Sequence, residues 1–269
     1  MGKHRRIKEG YHEPPREGSD FTKLRILIKP RSAAQASYLD SLEKYTMTFG
    51  IGPAGTGKTY LAIATALKAL NARKIDRIII TRPVVESGEQ LGFLPGDIAE
   101  KMDPYIKPIT DAIVEFVGGK SAKMLFDNGT IEICPLAYMR GRTFKNSFII
   151  ADEMSSATPS QMKNLLTRIG EGSTMAILGD PKQSDLPKGA PNGLSDIISC
   201  FDRYGKKPDG MRMVHMSAND IVRHPLLKTI LAIYGEVDES ELESNEVANL
   251  GTMPKAWDEP VYHGARLKK

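Results

Sequence analysis

Gly52-Pro53-Ala54-Gly55-Thr56-Gly57-Lys58-Thr59 satisfies G-x-x-x-x-G-K-[ST] at every constrained position, between an apolar β-rich run over 46–51 and a helical stretch over 59–71. No other segment constrains the fold as strongly, because it demands a strand that turns tightly into a helix N-terminus. The glycines let backbone N–H groups converge on phosphate oxygens in a conformation that Cβ atoms would obstruct. Lys58 is then spaced to reach the β- and γ-phosphates. Thr59 offers its hydroxyl to Mg²⁺, and the helix directs its positive end at the anion. All eight residues, Gly52 to Thr59, are therefore candidate nucleotide contacts, with Lys58 also acting on the transferred phosphate.

The overlapping run Gly50-Ile51-Gly52-Pro53-Ala54-Gly55 also matches G-x-G-x-x-G. A dinucleotide site needs an acid at the end of the next strand to hold the ribose. That strand ends in Thr81-Arg82, so nicotinamide chemistry is excluded.

Further along, Phe148-Ile149-Ile150-Ala151 is an apolar strand that ends in Asp152-Glu153. Asp152 suits the acid that holds Mg²⁺ opposite the phosphate loop, and Glu153 suits the general base that polarises water. The strand over 174–178 leads into Gly179-Asp180-Pro181-Lys182-Gln183. Laid beside the Asp152 strand, it brings the Gln183 amide near the γ-phosphate, where it can both donate and accept.

These strands belong to a longer alternation. Strands are expected at 77–81, 130–134, 147–151, 174–178 and 211–216, and helices at 32–45, 59–71, 97–117, 159–169, 193–202 and 225–234. Leu24, Ile26 and Ile28 fall at every second position, with Arg25 and Leu27 between them and Lys29 after, and read as a short additional strand. Continuous runs such as Ile78-Ile79-Ile80 imply burial on both faces, hence an α/β fold with a mostly parallel sheet and helices on both faces. Residues 1–22 read as a flexible polar arm and 23–235 as the working domain. Over 236–269, an acidic run (Glu236, Asp238, Glu239, Glu241, Glu243, Glu246) opens a linker and loosely ordered tail. With 41% hydrophobic and 26% charged residues the chain is neither disordered throughout nor membrane-spanning. Cys134 and Cys200 have no CxxC partner and no secretory signal precedes them, which points to a reducing cytoplasm. The five histidines show no metal-ligand spacing.

Additional motifs accompany the loop and the acidic pair. They are Thr81-Arg82-Pro83, Leu91-Gly92-Phe93-Leu94-Pro95-Gly96, Pro135-Leu136-Ala137-Tyr138-Met139-Arg140-Gly141-Arg142, Thr167-Arg168-Ile169-Gly170, Asp185-Leu186-Pro187 and Val222-Arg223-His224-Pro225-Leu226. Together these residues resemble the PhoH-like family of P-loop ATPases, relatives of superfamily 1 helicases. The resemblance implies a single RecA-like P-loop NTPase core, ATP and Mg²⁺ as cofactors, ATP hydrolysis, and RNA or another nucleic acid as target. It also implies that Gln35 reads adenine. One departure is Met154-Ser155 after the acidic pair, where relatives have Ala-Gln; this weakens helicase-like coupling more than hydrolysis.

The body is long enough for only one such core. An arginine that neutralises charge on the γ-phosphate is then expected from a neighbouring subunit, with Arg168 and Arg223 as candidates. A homo-oligomeric closed ring, such as a hexamer, would satisfy every site by symmetry. Tyr138, Arg140 and Arg142 interleave an aromatic with bases, the composition that stacks bases and tracks phosphates, and Arg82 and Phe93 lie in loops expected on the same face. RNA or single-stranded DNA is the expected partner, with no membrane. Two other readings stay open at this level: a P-loop kinase, and a nucleotide-gated binding module with negligible turnover.

Overall fold

The computed structural model describes residues 26–83, 98–187, 189–206 and 208–221, and residues 226, 230, 233 and 234. Six strands form one sheet: β1 (Met47–Ile51), β2 (Arg77–Thr81), β3 (Ile131–Ile133), β4 (Ser147–Ala151), β5 (Thr174–Gly179) and β6 (Met211–His215). Their order is β3-β2-β4-β5-β1-β6, and every pairing is parallel. Among the described residues they are accompanied by the helices α1 (Ala33–Lys44), α2 (Lys58–Asn71), α3 (Ile98–Val117), α4 (Gly119–Asp127), α5 (Pro159–Leu166) and α6 (Gly193–Tyr204).

The isoleucine triplets explain the layering. Successive strand residues point to opposite faces, so Ile78 and Ile80 join Ile150 and Leu178 in one core, with Leu61, Ile63 and Leu67 of α2 and Ile109 and Ile113 of α3. Ile79, Ile149 and Ile177 face the other way, onto Met162 and Leu165 of α5 and Leu194 of α6. A strand covered on both sides cannot afford polar alternation. β1 and β4 are buried at every position, whereas the edge strand β6 is exposed or half-buried at all positions but Val214.

β5 lies between β1 and β4. The strand that carries the phosphate loop and the strand that carries Asp152 are thus separated by one strand, as in a RecA-like P-loop core.

Three local expectations change. Residues 26–30 form no strand: both edges of β1 are taken by β5 and β6, and the alternation reflects Ile26 packing into the core while Leu27 is 75% exposed. Leu24 lies outside the described residues. The expected 159–169 helix stops at Leu166, because Phe144 and Ile169 pair as a bridge, with Phe144 N–H donating to Arg168 O and Gly170 N–H to Phe144 O. Helix α4 was not anticipated; Gly118 at φ 77° breaks the chain after α3, and Ala122 and Leu125 then bury one face of a new helix. The 1–22 arm, the 236–269 tail and most of the 225–234 helix lie outside the described residues.

Candidate nucleotide site

The site assembles at the C-terminal ends of β1, β4, β5 and β2. β1 leads into Gly52, with φ +147°, where a Cβ would stand 2.2 Å from the Met216 carbonyl oxygen. Only glycine passes there. Gly57, at φ +83°, is the N-cap of α2, so Lys58 and Thr59 open the helix and place its N-terminus beside the loop. The Lys58 ammonium arches over that loop, donating to the Gly52 and Pro53 carbonyls at 2.6 and 2.9 Å and to Thr56 Oγ1 at 3.3 Å.

At the end of β4, the Asp152 N–H donates to Thr81 O at 2.9 Å, and Asp152 Oδ1 accepts the Thr59 hydroxyl at 2.9 Å. Burial pushes the Asp152 carboxyl above the ordinary range. Thr59, Arg82, the Glu153 N–H and Lys58 act in the opposite direction. Glu153 adopts φ 51°, ψ 40°, a left-handed conformation uncommon outside glycine. Its carboxyl is raised by burial and by the Asp152 charge, and Arg82 and Lys58 hold it down. The Arg82 guanidinium lies 3.9 Å from Glu153 Oε1.

The loops after β4 and β5 are stitched together. Ser184 Oγ donates to Ser155 O at 2.9 Å, Ser156 Oγ donates to Asp185 Oδ2 at 3.1 Å, and Asp185 N–H donates to Ser156 Oγ at 3.2 Å. A Cβ at Gly179 would come within 2.9 Å of the Ser155 nitrogen. The Met154-Ser155 departure therefore has a structural role: Met154 and Ser155 are both fully buried where the two loops meet. Gln183 emerges from this join with its N–H on Asp180 O.

Lys58, Thr59, Arg82, Asp152, Glu153 and Gln183 line a cavity of about 930 Å³, a volume suited to a small-molecule ligand. The donor chemistry suits Mg²⁺: a hydroxyl and a carboxylate, both hard oxygens, beside the glycine-rich loop. Mg²⁺ is commonly held by one or two carboxylates together with substrate phosphates and water. Among the described residues no group of three or more His, Cys, Asp or Glu side chains is arranged to hold a metal ion by itself.

The sequence model of the family described as PhoH-like protein matches residues 27–235. The chain belongs to the PhoH-like family. It is 47% identical over 207 residues to the PhoH-like protein of Bacillus subtilis, covering 77% of this chain and 64% of that one. Against the PhoH-like protein of Mycobacterium leprae the identity is 43% over 221 residues, covering 82% and 62%. Against Protein PhoH of Escherichia coli K12 it is 43% over 209 residues, covering 77% and 58%. The chain thus spans 58–64% of the length of these curated relatives. Among solved structures, a Pif1 helicase from Candida albicans aligns with TM-score 0.35 and 16% identity, over 70% of this chain and 40% of that one.

In this PhoH-like chain the remaining candidates fall in different places. Gln35 is buried against the P-loop, with its amide engaged at both ends: Nε2 donates to Thr56 O at 3.1 Å and Oε1 accepts from Arg31 N–H at 2.8 Å. It braces the loop. Arg82 lines the same cavity as Glu153, with its guanidinium 3.9 Å from that carboxylate. Arg142 forms a two-pronged pair with Glu132, at 2.5 and 3.0 Å, and lies 4.6 Å over the Phe144 ring. Tyr138 (54% exposed) and Arg140 are exposed around a 3-10 turn over Leu136–Met139. Arg168 sits beyond the N-terminal ends of β4 and β5, opposite the phosphate-loop edge. It donates to Asn164 O, Arg142 O and Thr167 Oγ1. Phe93 and Arg223 lie outside the described residues. Sequence reasoning missed Tyr60, Arg31 and Glu115 on the cavity wall; Tyr60 directly after the phosphate loop was the available signal. Among the described residues, no helix is long and apolar enough to cross a membrane.

Proposed function

We propose that the chain binds ATP with Mg²⁺ at the P-loop and hydrolyses it, with Glu153 as general base. The observation that carries this reading is the 2.9 Å bond from the Thr59 hydroxyl to Asp152, with Glu153 adjacent and Gln183 on the same cavity wall. Thr59 and Asp152 would hold Mg²⁺, which when bound neutralises phosphate charge and orients the β- and γ-oxygens. Lys58 binds the phosphate oxygens, the loop amides cradle them, and Gln183 orients the attacking water. Glu153 takes the proton from that water. Its raised carboxyl suits the role, because a stronger base near neutral pH accepts the proton more readily.

Two assays test this. Mg²⁺-dependent phosphate release from ATP without an added acceptor is expected, and it separates hydrolysis from phosphoryl transfer to a second substrate. Glu153→Gln is expected to bind ATP but lose turnover. Unchanged turnover in that variant would leave a nucleotide-gated binding module as the better reading.

We further propose that hydrolysis is coupled to RNA or single-stranded DNA, with exposed Tyr138 and Arg140 as contacts. Binding should weaken as salt rises. Copies assembled into a ring remain the proposed source of an arginine in trans, although Arg168 would have to leave three local hydrogen bonds to serve. Arg82, beside Glu153 in the same chain, supports a second reading in which the cation acts in cis. Mixing Arg168→Ala with Lys58→Ala protein separates them: supply in trans by Arg168 predicts that each variant alone is inactive and that mixed assemblies recover ATPase, whereas the cis reading predicts that Arg168→Ala alone stays active.

A further inference from the structure

The cavity lined by the P-loop is lined as well by Leu27, Ile28, Arg31, Tyr60, Ala112 and Glu115. We infer that these residues form a nucleobase subsite, in which the Tyr60 ring is the stacking platform and the Glu115 carboxylate accepts an exocyclic amine of the base. The inference rests on the reading of the P-loop as a nucleoside triphosphate site and names the base end of that site.

Tyr60 immediately follows Thr59 in the first turn of α2, one residue beyond the hydroxyl assigned to the metal. Its ring is 37% exposed, yet it is held on two sides. The hydroxyl donates to Glu115 Oε1 at 2.9 Å, and the ring packs against Phe116 with centroids 4.6 Å apart and planes at 41°. An aromatic fixed by α3 while keeping part of its surface on a cavity is pre-organised for stacking, since little side-chain freedom is left to lose. Leu27, Ile28 and Ala112 offer apolar surface to a flat ring, and the phosphate end supplies the charged contacts. A carboxylate accepts at both oxygens, so the bond from Tyr60 leaves Glu115 with acceptor capacity. Gln35 donates to Thr56 O and accepts from Arg31 N–H, which leaves one N–H and one lone pair of its amide on the same cavity.

Affinities of the full chain for ATP, ITP and tripolyphosphate, each with Mg²⁺, test the assignment; ITP carries an oxo group in place of the amine. Tyr60→Ala should weaken ATP about tenfold or more, the scale of one base–aromatic stack, and leave tripolyphosphate within about twofold. Tyr60→Phe should keep most of the ATP affinity. Glu115→Ala should erase a severalfold preference for ATP over ITP. Equal weakening of ATP and tripolyphosphate in Tyr60→Ala would mean that the ring only props the loop, and unchanged ATP affinity would mean that the base lies elsewhere; either overturns the subsite alone. Wild-type protein that binds neither ATP nor tripolyphosphate would overturn the nucleotide reading and the subsite with it.

Discussion

Thr59 and Asp152, 93 residues apart in the chain, meet through a 2.9 Å hydrogen bond between the first turn of α2 and the end of β4. The contact ties the phosphate loop to the acid strand across the intervening β5. Removing the hydroxyl by Thr59→Ala should therefore weaken Mg²⁺–ATP more than metal-free ATP. Titration of nucleotide with and without Mg²⁺ checks it; equal losses would contradict the pairing of Thr59 with the metal.

Asp152 carries a stability consequence. Burial raises its carboxyl pKa, so folding favours the protonated form. The contribution is fully present below the unfolded pKa and is lost as pH rises through the folded one. Asp152→Asn keeps an acceptor for Thr59 and removes the buried anion. In nucleotide-free protein its Tm should exceed wild type at neutral pH, with the gap closing in acid, while Mg²⁺-dependent affinity is lost. Thermal unfolding across pH measures both signs.

Glu153 is also raised, by burial and by Asp152, against the pull of Arg82. A general base works only when ionised, so the acid limb of the ATPase pH profile should lie above the ordinary glutamate value. Arg82→Ala should move that limb higher still. A limb that moves down on removing Arg82 would contradict the electrostatics. Glu153→Gln should reduce turnover by about 10²–10⁴-fold.

Gly52 and Gly57, two of the three loop glycines, differ in what they tolerate. At Gly57, φ +83° with the nearest side-chain atom 3.4 Å from an added Cβ, alanine meets conformational strain alone, about 1–2 kcal/mol. At Gly52 the added carbon would also collide with the Met216 carbonyl at 2.2 Å. Denaturant unfolding should show Gly52→Ala the more destabilised of the two.

Arg140 and Arg142 should separate by phenotype. Arg142 binds Glu132 and covers Phe144, so Arg142→Ala should lower stability by about 1 kcal/mol, the scale of a partly exposed pair. Arg140→Ala should leave Tm unchanged and reduce the salt dependence of RNA or single-stranded DNA binding.

Much of this was legible from local pattern. Spacing alone placed the phosphate loop, Asp152 and Glu153, and continuous apolar runs placed β2 and β4 to the residue, because a strand buried on both faces must be apolar throughout. The alternation at Ile26 and Ile28 was misleading, since burial on one side looks the same whether or not the backbone finds a strand partner. Arginines were the least legible. Arg82, Arg142 and Arg168 look alike in sequence, but one faces Glu153, one pairs with Glu132 and one holds the end of its own helix.

The order of residues was sufficient for the phosphate loop, since eight consecutive positions must share one backbone conformation and only glycine-rich sequence permits it. Tertiary structure alone decided the partners: that Thr59 reaches Asp152, that Gln35 is committed to Thr56, and that Glu115 steadies Tyr60. Each of these contacts joins elements far apart in the chain, and long-range contacts depend on how helices settle on the sheet rather than on any local period.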